Sequence, residues 1–160
     1  MDFGFVDPTA AVDTLYDREN HTIYIFNEYY KRGAQLSEIA DAMRSMILFK
    51  NKIYCDSAEP RSIQFLKSEG FNAMPCVKGK DSVKAGILFL QDNKIVVKDT
   101  CPNVIKELEN FSYIKSKQTG EYTEETTHEF SHAIDACRYA YSDVYTNTKL
   151  KSINKAAFGL

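Results

Sequence analysis

The chain has 160 residues, of which 44% are hydrophobic and 26% charged, with only 7 glycines and 4 prolines. That composition supports one domain with a real core and excludes wholesale disorder. The net charge of −2 excludes a polycation, so any nucleic-acid site must rest on a local basic patch or on bound cations.

Asp2–Val6 (DFGFV) reads as a short strand, already in mid-strand as the chain opens, which points to a domain cut from something longer. Asp7-Pro8 is a turn signal, because proline fixes φ and aspartate bonds its own following backbone. Residues 9–17 read as a second strand. After the polar turn 17–21, residues 22–30 (TIYIFNEYY) form the clearest strand, β-branched and aromatic throughout. Short turns between three strands predict an antiparallel meander. Helical spacing of Ile39, Met43, Met46 and Ile47 predicts a helix over 36–49, opened by Gln35 or Ser37. Lys52–Asp56 reads as a buried strand ending in an acid, and Ser57 as the cap of a helix over 58–69 that stops at Gly70. A strand over 71–77, a polar loop over 78–82, a helix over 82–92 and a short strand over 94–98 follow. Pro102 opens a helix to Asn110, 111–115 is extended, and the polar stretch 116–127 reads as a loop.

The strongest periodicity lies in His128–Val144. Phe130, Ile134, Cys137, Tyr141 and Val144 make one apolar stripe, with His128, His132, Asp135 and Tyr139 on the neighbouring one. One helix packed on a sheet would thus hold a histidine and an acid one turn apart. The predicted architecture is α/β: a mixed sheet, three antiparallel strands and then parallel ones, with helices on both faces. We expect residues 1–145 to form one domain and residues 146–160, with Lys149, Lys151 and Lys155 and no acid, to form a loosely ordered basic tail. No two of the four cysteines make a C-x-x-C pair, and three sit in apolar surroundings, as reduced core residues of a cytosolic protein do. The sequence carries no leader, no apolar run near 18 residues and no P-loop, so neither a membrane span nor ATP hydrolysis is expected.

Three acids stand out. Asp2 is flanked by Phe3 and Phe5, where a carboxylate needs a partner or a metal unless it is simply frayed into solvent. Asp56 closes an apolar strand before a helix, where ligands bind in open α/β sheets, although a capping role would also place an acid there. Asp135 is either a solvated helix residue or the third member of the set. Three carboxylates from two strands and a helix suit hard divalent ions, and two such ions can hydrolyse a phosphodiester. Lys78, Lys80 and Lys84 surround a glycine loop and could touch phosphates. Asp7 and Glu59 are possible accessory ligands, with turn and helix-start roles as the alternatives. A rival pattern overlaps the last region: His128-Glu129-Phe130-Ser131-His132 matches H-E-x-x-H, in which two histidines bind zinc and the glutamate is a general base. After His132 only Asp135 and Asp143 remain as further ligands, and the extended form of that motif fails.

Taken together, Asp2-Phe3-Gly4-Phe5 with Asp7-Pro8-Thr9-Ala10, Tyr54-Cys55-Asp56-Ser57-Ala58-Glu59-Pro60, and Ser131 through Ala140 resemble the signature regions of the C-terminal nuclease domain of tailed-phage terminase large subunits. Lys78–Ser82 and Ala85-Gly86-Ile87 resemble a loop and helix of that family. The resemblance covers about residues 2–145. It implies a ribonuclease H-like fold and a divalent-metal-dependent endonuclease that cuts double-stranded DNA during viral genome packaging. It further implies catalytic, metal-holding roles for Asp2, Asp56 and Asp135, with two Mg²⁺ or Mn²⁺ ions and an accessory role for His132. The DNA-binding lysines would be Lys78, Lys80 and Lys84. Implied partners are double-stranded DNA, an ATPase motor domain, a portal and a small terminase subunit, with no membrane, in the cytoplasm of the infected bacterial host. The family's N-terminal ATPase motor has no counterpart in these residues. The competing readings are a zinc metallopeptidase, a non-catalytic module docking DNA or a packaging partner, and a resolvase- or transposase-like nuclease of the same fold.

Overall fold

A computed structural model describes residues 1–47 and 50–146, apart from the side chains of Glu124 and Glu125. The expected tail beyond Thr146 lies outside the described residues, as do residues 48–49; the helix expected to reach residue 49 ends earlier, at Met46, with Ile47 already extended.

Two sheets meet at the start of the chain. Strand β1 (Thr9–Asp17) pairs antiparallel with β2 (Thr22–Lys31), and β2 pairs parallel with β5 (Lys94–Val97). Strands β3 (Lys52–Cys55) and β4 (Asn72–Pro75) form a parallel pair. The Met1–Asp2 segment stitches the two together. Asp2 makes a two-bond antiparallel bridge to Ala10 on β1, and the Asp56 N–H donates to the Met1 carbonyl at 3.0 Å. The expected first strand, 2–6, shrinks to that single bridge. The chain must arch after Phe3, because a Cβ on Gly4 would stand 2.5 Å from the Asp7 carbonyl oxygen and 2.8 Å from that of Pro8. Only glycine permits so close an approach. Thr9 pins the arch: its hydroxyl donates to the Gly4 carbonyl at 2.7 Å and accepts the Gly4 N–H at 3.1 Å.

Helices cover both faces, as the sequence predicts. Side chains alternate along β1, so Ala11 faces one core and Ala10 the other. The first core packs Ile39 and Met43 of α1 (Leu36–Met46) and Leu66 of α2 (Pro60–Ser68) against Ile53, Cys55 and Ala73. The second packs Leu90 of α3 (Ser82–Gln91), Val104 of α4 (Pro102–Asn110), and Ile134 and Cys137 of α5 (His132–Ala140) against Ile23 and Ile25. All four cysteines are buried and free. Among the described residues, no helix is long and apolar enough to cross a membrane.

Three expectations need correction. Residues 116–127 are not all loop: β7 (Tyr122–Thr126) pairs antiparallel with β6 (Tyr113–Lys115) around a turn with Gly120 at φ 72°. Helix α2 starts two residues later than predicted. Glu59 is its N-cap residue and Pro60 its first, while Ser57 lies outside and Asp56 accepts the Ala58 N–H at 2.8 Å. The long helix expected over 128–144 is three pieces: a 3₁₀ turn (His128–Phe130), α5, and α6 (Ser142–Thr146). Its start is set from outside. The Glu107 carboxylate of α4 accepts the Ala133 and Ile134 N–H groups at 2.7 and 3.2 Å, so α5 begins where that acid caps it. Its end falls where the Tyr141 N–H turns to the Arg138 carbonyl and the Ser142 hydroxyl accepts the Val77 N–H. Ile134, Cys137, Tyr141 and Val144 keep their place in the second core, whereas Phe130 stands apart beneath the Lys106 ammonium.

Candidate active site

Three elements deliver three acids to one place. The bridge to β1 holds Asp2, the exit from β3 holds Asp56, and the first turn of α5 holds Asp135. All three line an open cavity of about 340 Å³, together with Asp7, His132 and Tyr139. A larger cavity, about 430 Å³, lies under α1 and has Asp13 as its one acid.

The electrostatics of the three differ because their neighbours differ. Asp2 is 9% exposed, and its carboxyl is pushed up to about 7, first by burial and then by the charges of Asp135 and Asp56. Its other contact is His132, whose Nδ1 lies 3.3 Å from Oδ2. Burial also works to raise Asp56, but the Ala58 N–H, Lys78 and the Tyr139 hydroxyl outweigh it and hold the carboxyl below its usual range. The Lys78 ammonium sits 2.5 Å from Oδ1, and the Tyr139 hydroxyl donates to Oδ2 at 3.2 Å. Asp135 receives two bonds from Arg138, Nε at 2.9 Å and Nη2 at 2.5 Å, both on Oδ1, which leaves Oδ2 free of that guanidinium. Tyr139, buried among these acids, has its hydroxyl pushed above the usual range by burial and by Asp135, so it acts as a neutral donor.

The three predicted lysines stand in three different settings. Lys78 touches Asp56 and lies over the Tyr139 ring at 5.3 Å. Lys80 is exposed in its loop, and Lys84 lines a separate cavity between α3 and the β6–β7 hairpin. Glu59 is likewise elsewhere, accepting the Ser62 hydroxyl at 3.3 Å. The zinc-protease pattern loses its premise of one continuous helix, since Ser131 separates the 3₁₀ turn from α5, and Glu129 points to solvent.

Sequence reasoning missed the supports behind the acids. Glu28 of β2 accepts the Asn103 and Val104 N–H groups and so caps α4. Glu107 of α4 in turn caps α5, and its other oxygen accepts the Tyr30 hydroxyl at 2.8 Å. The signal was present: Glu107 stands three residues after Val104 in a buried helical stripe, where an acid needs partners. Gly86 of α3 is a second support. A Cβ there would meet the Arg138 side chain at 2.9 Å and the Tyr145 hydroxyl at 3.0 Å, so the missing side chain makes room for the arginine that holds Asp135.

A family model described as the terminase RNase H-like domain matches residues 2–143. The chain belongs to this family. Among curated relatives, the terminase large subunit of Bacillus phage SPP1 is 36% identical over 146 residues, covering 88% of this chain and 34% of the relative. The PBSX phage terminase large subunit of Bacillus subtilis (strain 168) is 35% identical over 145 residues, covering 89% of this chain and 33% of the relative. The chain therefore spans about a third of the length of these large terminases. Among solved structures, the large terminase nuclease domain of bacteriophage SPP1, crystallised with bound Mn, superposes with a TM-score of 0.81 at 35% identity, covering 88% of this chain and 81% of that one. The mixed sheet is thus the ribonuclease H-like sheet of terminase domains.

The donor set fits hard divalent cations. Three carboxylates share one open cavity, and the most buried of them is pushed toward neutrality first by burial and then by the charges of the other two. A cation bound among them would relieve that repulsion, and oxygen-only donors are what Mg²⁺ and Mn²⁺ take.

Proposed function

We propose that this chain is the nuclease domain of a tailed-phage terminase large subunit, a divalent-metal-dependent endonuclease that cuts double-stranded DNA as a viral genome is packaged. The observation that carries the reading is the convergence of Asp2, Asp56 and Asp135 on one open cavity. In this reading residues 1–145 are the nuclease domain and residues 146–160 its basic tail. The three acids hold two ions, Mg²⁺ or Mn²⁺. When bound, such ions neutralise charge on the phosphodiester and make water a competent nucleophile.

The chain's own residues prepare that state. Asp56, held ionised, is the first acid ready to accept an ion, and Lys78 must swing off it for one to enter. The displaced Lys78 then has a phosphate as its natural partner, with Lys80 and Lys84 adding contacts along the backbone. Tyr139 keeps Asp56 aimed inward through Oδ2, and Arg138 fixes Asp135 through Oδ1. His132 orients Asp2 from behind. In this reading the lysines meet phosphates, which carry no sequence information, so cutting should show weak sequence preference. The whole machine would add an ATPase motor domain, a portal and a small terminase subunit, working in the cytoplasm of the infected host.

The test is conversion of supercoiled plasmid in Mg²⁺, Mn²⁺ or EDTA, with Asp56→Ala in parallel. Nicked and linear products with Mg²⁺ or Mn²⁺, lost in the variant while its circular dichroism is unchanged, support the reading. An Asp56→Ala protein that cuts as fast as the parent overturns it.

A further inference from the structure

The rim of the acid cavity carries two side chains that play no part in the reading above. Phe5 and Val6, at the tip of the arch between Asp2 and Pro8, border the cavity and are 63% and 81% exposed. We propose that this tip is a rigid apolar wedge that enters the minor groove of duplex DNA beside the phosphate to be cut, with Arg32 taking a flanking phosphate. The wedge rests on the nuclease reading and adds which part of the duplex the site grips.

The arch is pinned at its backbone while its tip stands out. The Phe5 carbonyl accepts the Gly33 N–H at 2.8 Å, and the Val6 carbonyl accepts Arg32 Nη1 at 2.8 Å. Thr9 closes the arch on both polar groups of Gly4, and Pro8 behind it is fully buried. Phe3, two residues earlier, shows where an aromatic ring here can go, since it packs against the first core. The turn between β1 and β2 shows how this chain builds a tip that meets only water. There Arg18, Glu19 and Asn20 are exposed, and the Asp17 carboxylate accepts the Glu19 and Asn20 N–H groups. Two adjacent apolar side chains held out on a fixed backbone beside a cleft mark a contact surface instead.

The neighbours select the partner. Acids sunk in the cavity can serve a phosphodiester only if its strand lies on the rim, and Phe5 and Val6 belong to that rim. The Arg32 side chain is 63% exposed and lies 4.0 Å from the Asp7 carboxylate. Its guanidinium spends one nitrogen on the Val6 carbonyl, so other N–H groups remain for a phosphate. A cation next to an apolar pair suits a strand of phosphates and sugars. Phe5 and Val6 offer no side-chain donor or acceptor with which to read the hydrogen-bond pattern of the major groove. Apolar side chains act in the minor groove, where they wedge between base steps and kink the duplex.

A wedge gives the weak sequence preference a pattern. Pyrimidine–purine steps unstack most easily, so they cost least to open. Cut sites should therefore gather near such steps, although no base is read by a hydrogen bond.

The experiment uses the full chain with Phe5→Ser and Val6→Ser together. Both side chains are exposed, so the melting curve should stay in place. Binding is read in an Asp56→Asn background, which holds DNA without cutting it, on a duplex with 2-aminopurine at its pyrimidine–purine steps. The background protein should raise the 2-aminopurine fluorescence as bases unstack, and adding the two serines should abolish the rise. Affinity should fall about tenfold with the salt slope unchanged, because apolar contacts release no counterions, whereas Arg32→Gln should reduce that slope by about one. In Mn²⁺, sequenced plasmid ends from the parent should cluster at pyrimidine–purine steps, and Phe5→Ser with Val6→Ser should scatter them. Phe5→Leu with Val6→Ile should keep both the fluorescence rise and the clustering. No fluorescence rise with the background protein overturns the wedge, as do equal affinity and an equal distribution of ends with and without the serines. A parent that cuts no plasmid in any metal counts instead against the nuclease reading, so the two failures are distinguishable.

Discussion

Replacing Asp2 by asparagine tests the electrostatics of the acid cavity without emptying it. The Asp2 carboxyl moves from 3.8 to about 7 on folding, chiefly through burial. A raised acid favours the protonated folded state, so its contribution is fully present below about pH 4 and is lost as the pH rises through about 7. A shift of that size corresponds to about 4 kcal/mol between the two ends of the window. The variant has no such proton to lose. In EDTA, urea melts of both proteins from pH 4 to pH 8.5 should therefore diverge. The asparagine form should gain about 2–4 kcal/mol on the parent across the window, after allowing for its poorer fit against His132. The difference between the two proteins is the quantity to follow, because other titrating groups cancel in it. Mn²⁺ should stabilise the parent strongly at pH 8 and little at pH 4.5, where protons hold the carboxyls. Parallel pH profiles for the two proteins would refute the reasoning.

Three further perturbations probe the supports. Glu107→Ala strands the Tyr30 hydroxyl and two backbone N–H groups in a buried setting and should cost about 3–5 kcal/mol in urea melts, with Glu107→Gln costing less. Gly86→Ala drives a methyl against Arg138 and Tyr145; a loss of about 1–3 kcal/mol is expected, with a fall in cutting rate as Arg138 shifts from Asp135. Lys78→Ala frees Asp56 from its ammonium and should tighten Mn²⁺ binding in calorimetry while weakening DNA binding at low salt.

What was legible in the sequence follows from where its signals come from. Thr9–Asp17 and Pro102–Asn110 have the predicted bounds because local patterning and a proline at the helix start decide them. The α/β order survived because each apolar run is paid out to a sheet face or a helix stripe. The β6–β7 hairpin escaped notice because Tyr122–Thr126 (YTEET) is a polar run with no alternation of apolar and polar residues. The break between His128 and His132 was invisible because its cause, Glu107, lies more than twenty residues upstream. The acids Asp2, Asp56 and Asp135 could be nominated from strand ends, a helix stripe and the family resemblance. Their unequal surroundings could not, since Lys78 and Tyr139 reach Asp56 only through the tertiary fold. Asp7 read as a turn residue because its turn is local, whereas its neighbours His128 and His132 arrive from the far end of the chain.

The stitch made by Met1 and Asp2 has a consequence for biosynthesis. The three acids come from positions 2, 56 and 135, so the first awaits a partner that leaves the ribosome last. A nascent chain ending anywhere before α5 holds at most two of them. Closing so long a loop is among the slowest steps of folding, since its entropy is lost before its contacts form. On the proposed nuclease reading, competence to cut would then arise only once α5 has been made and has docked beside the Met1–Asp2 segment.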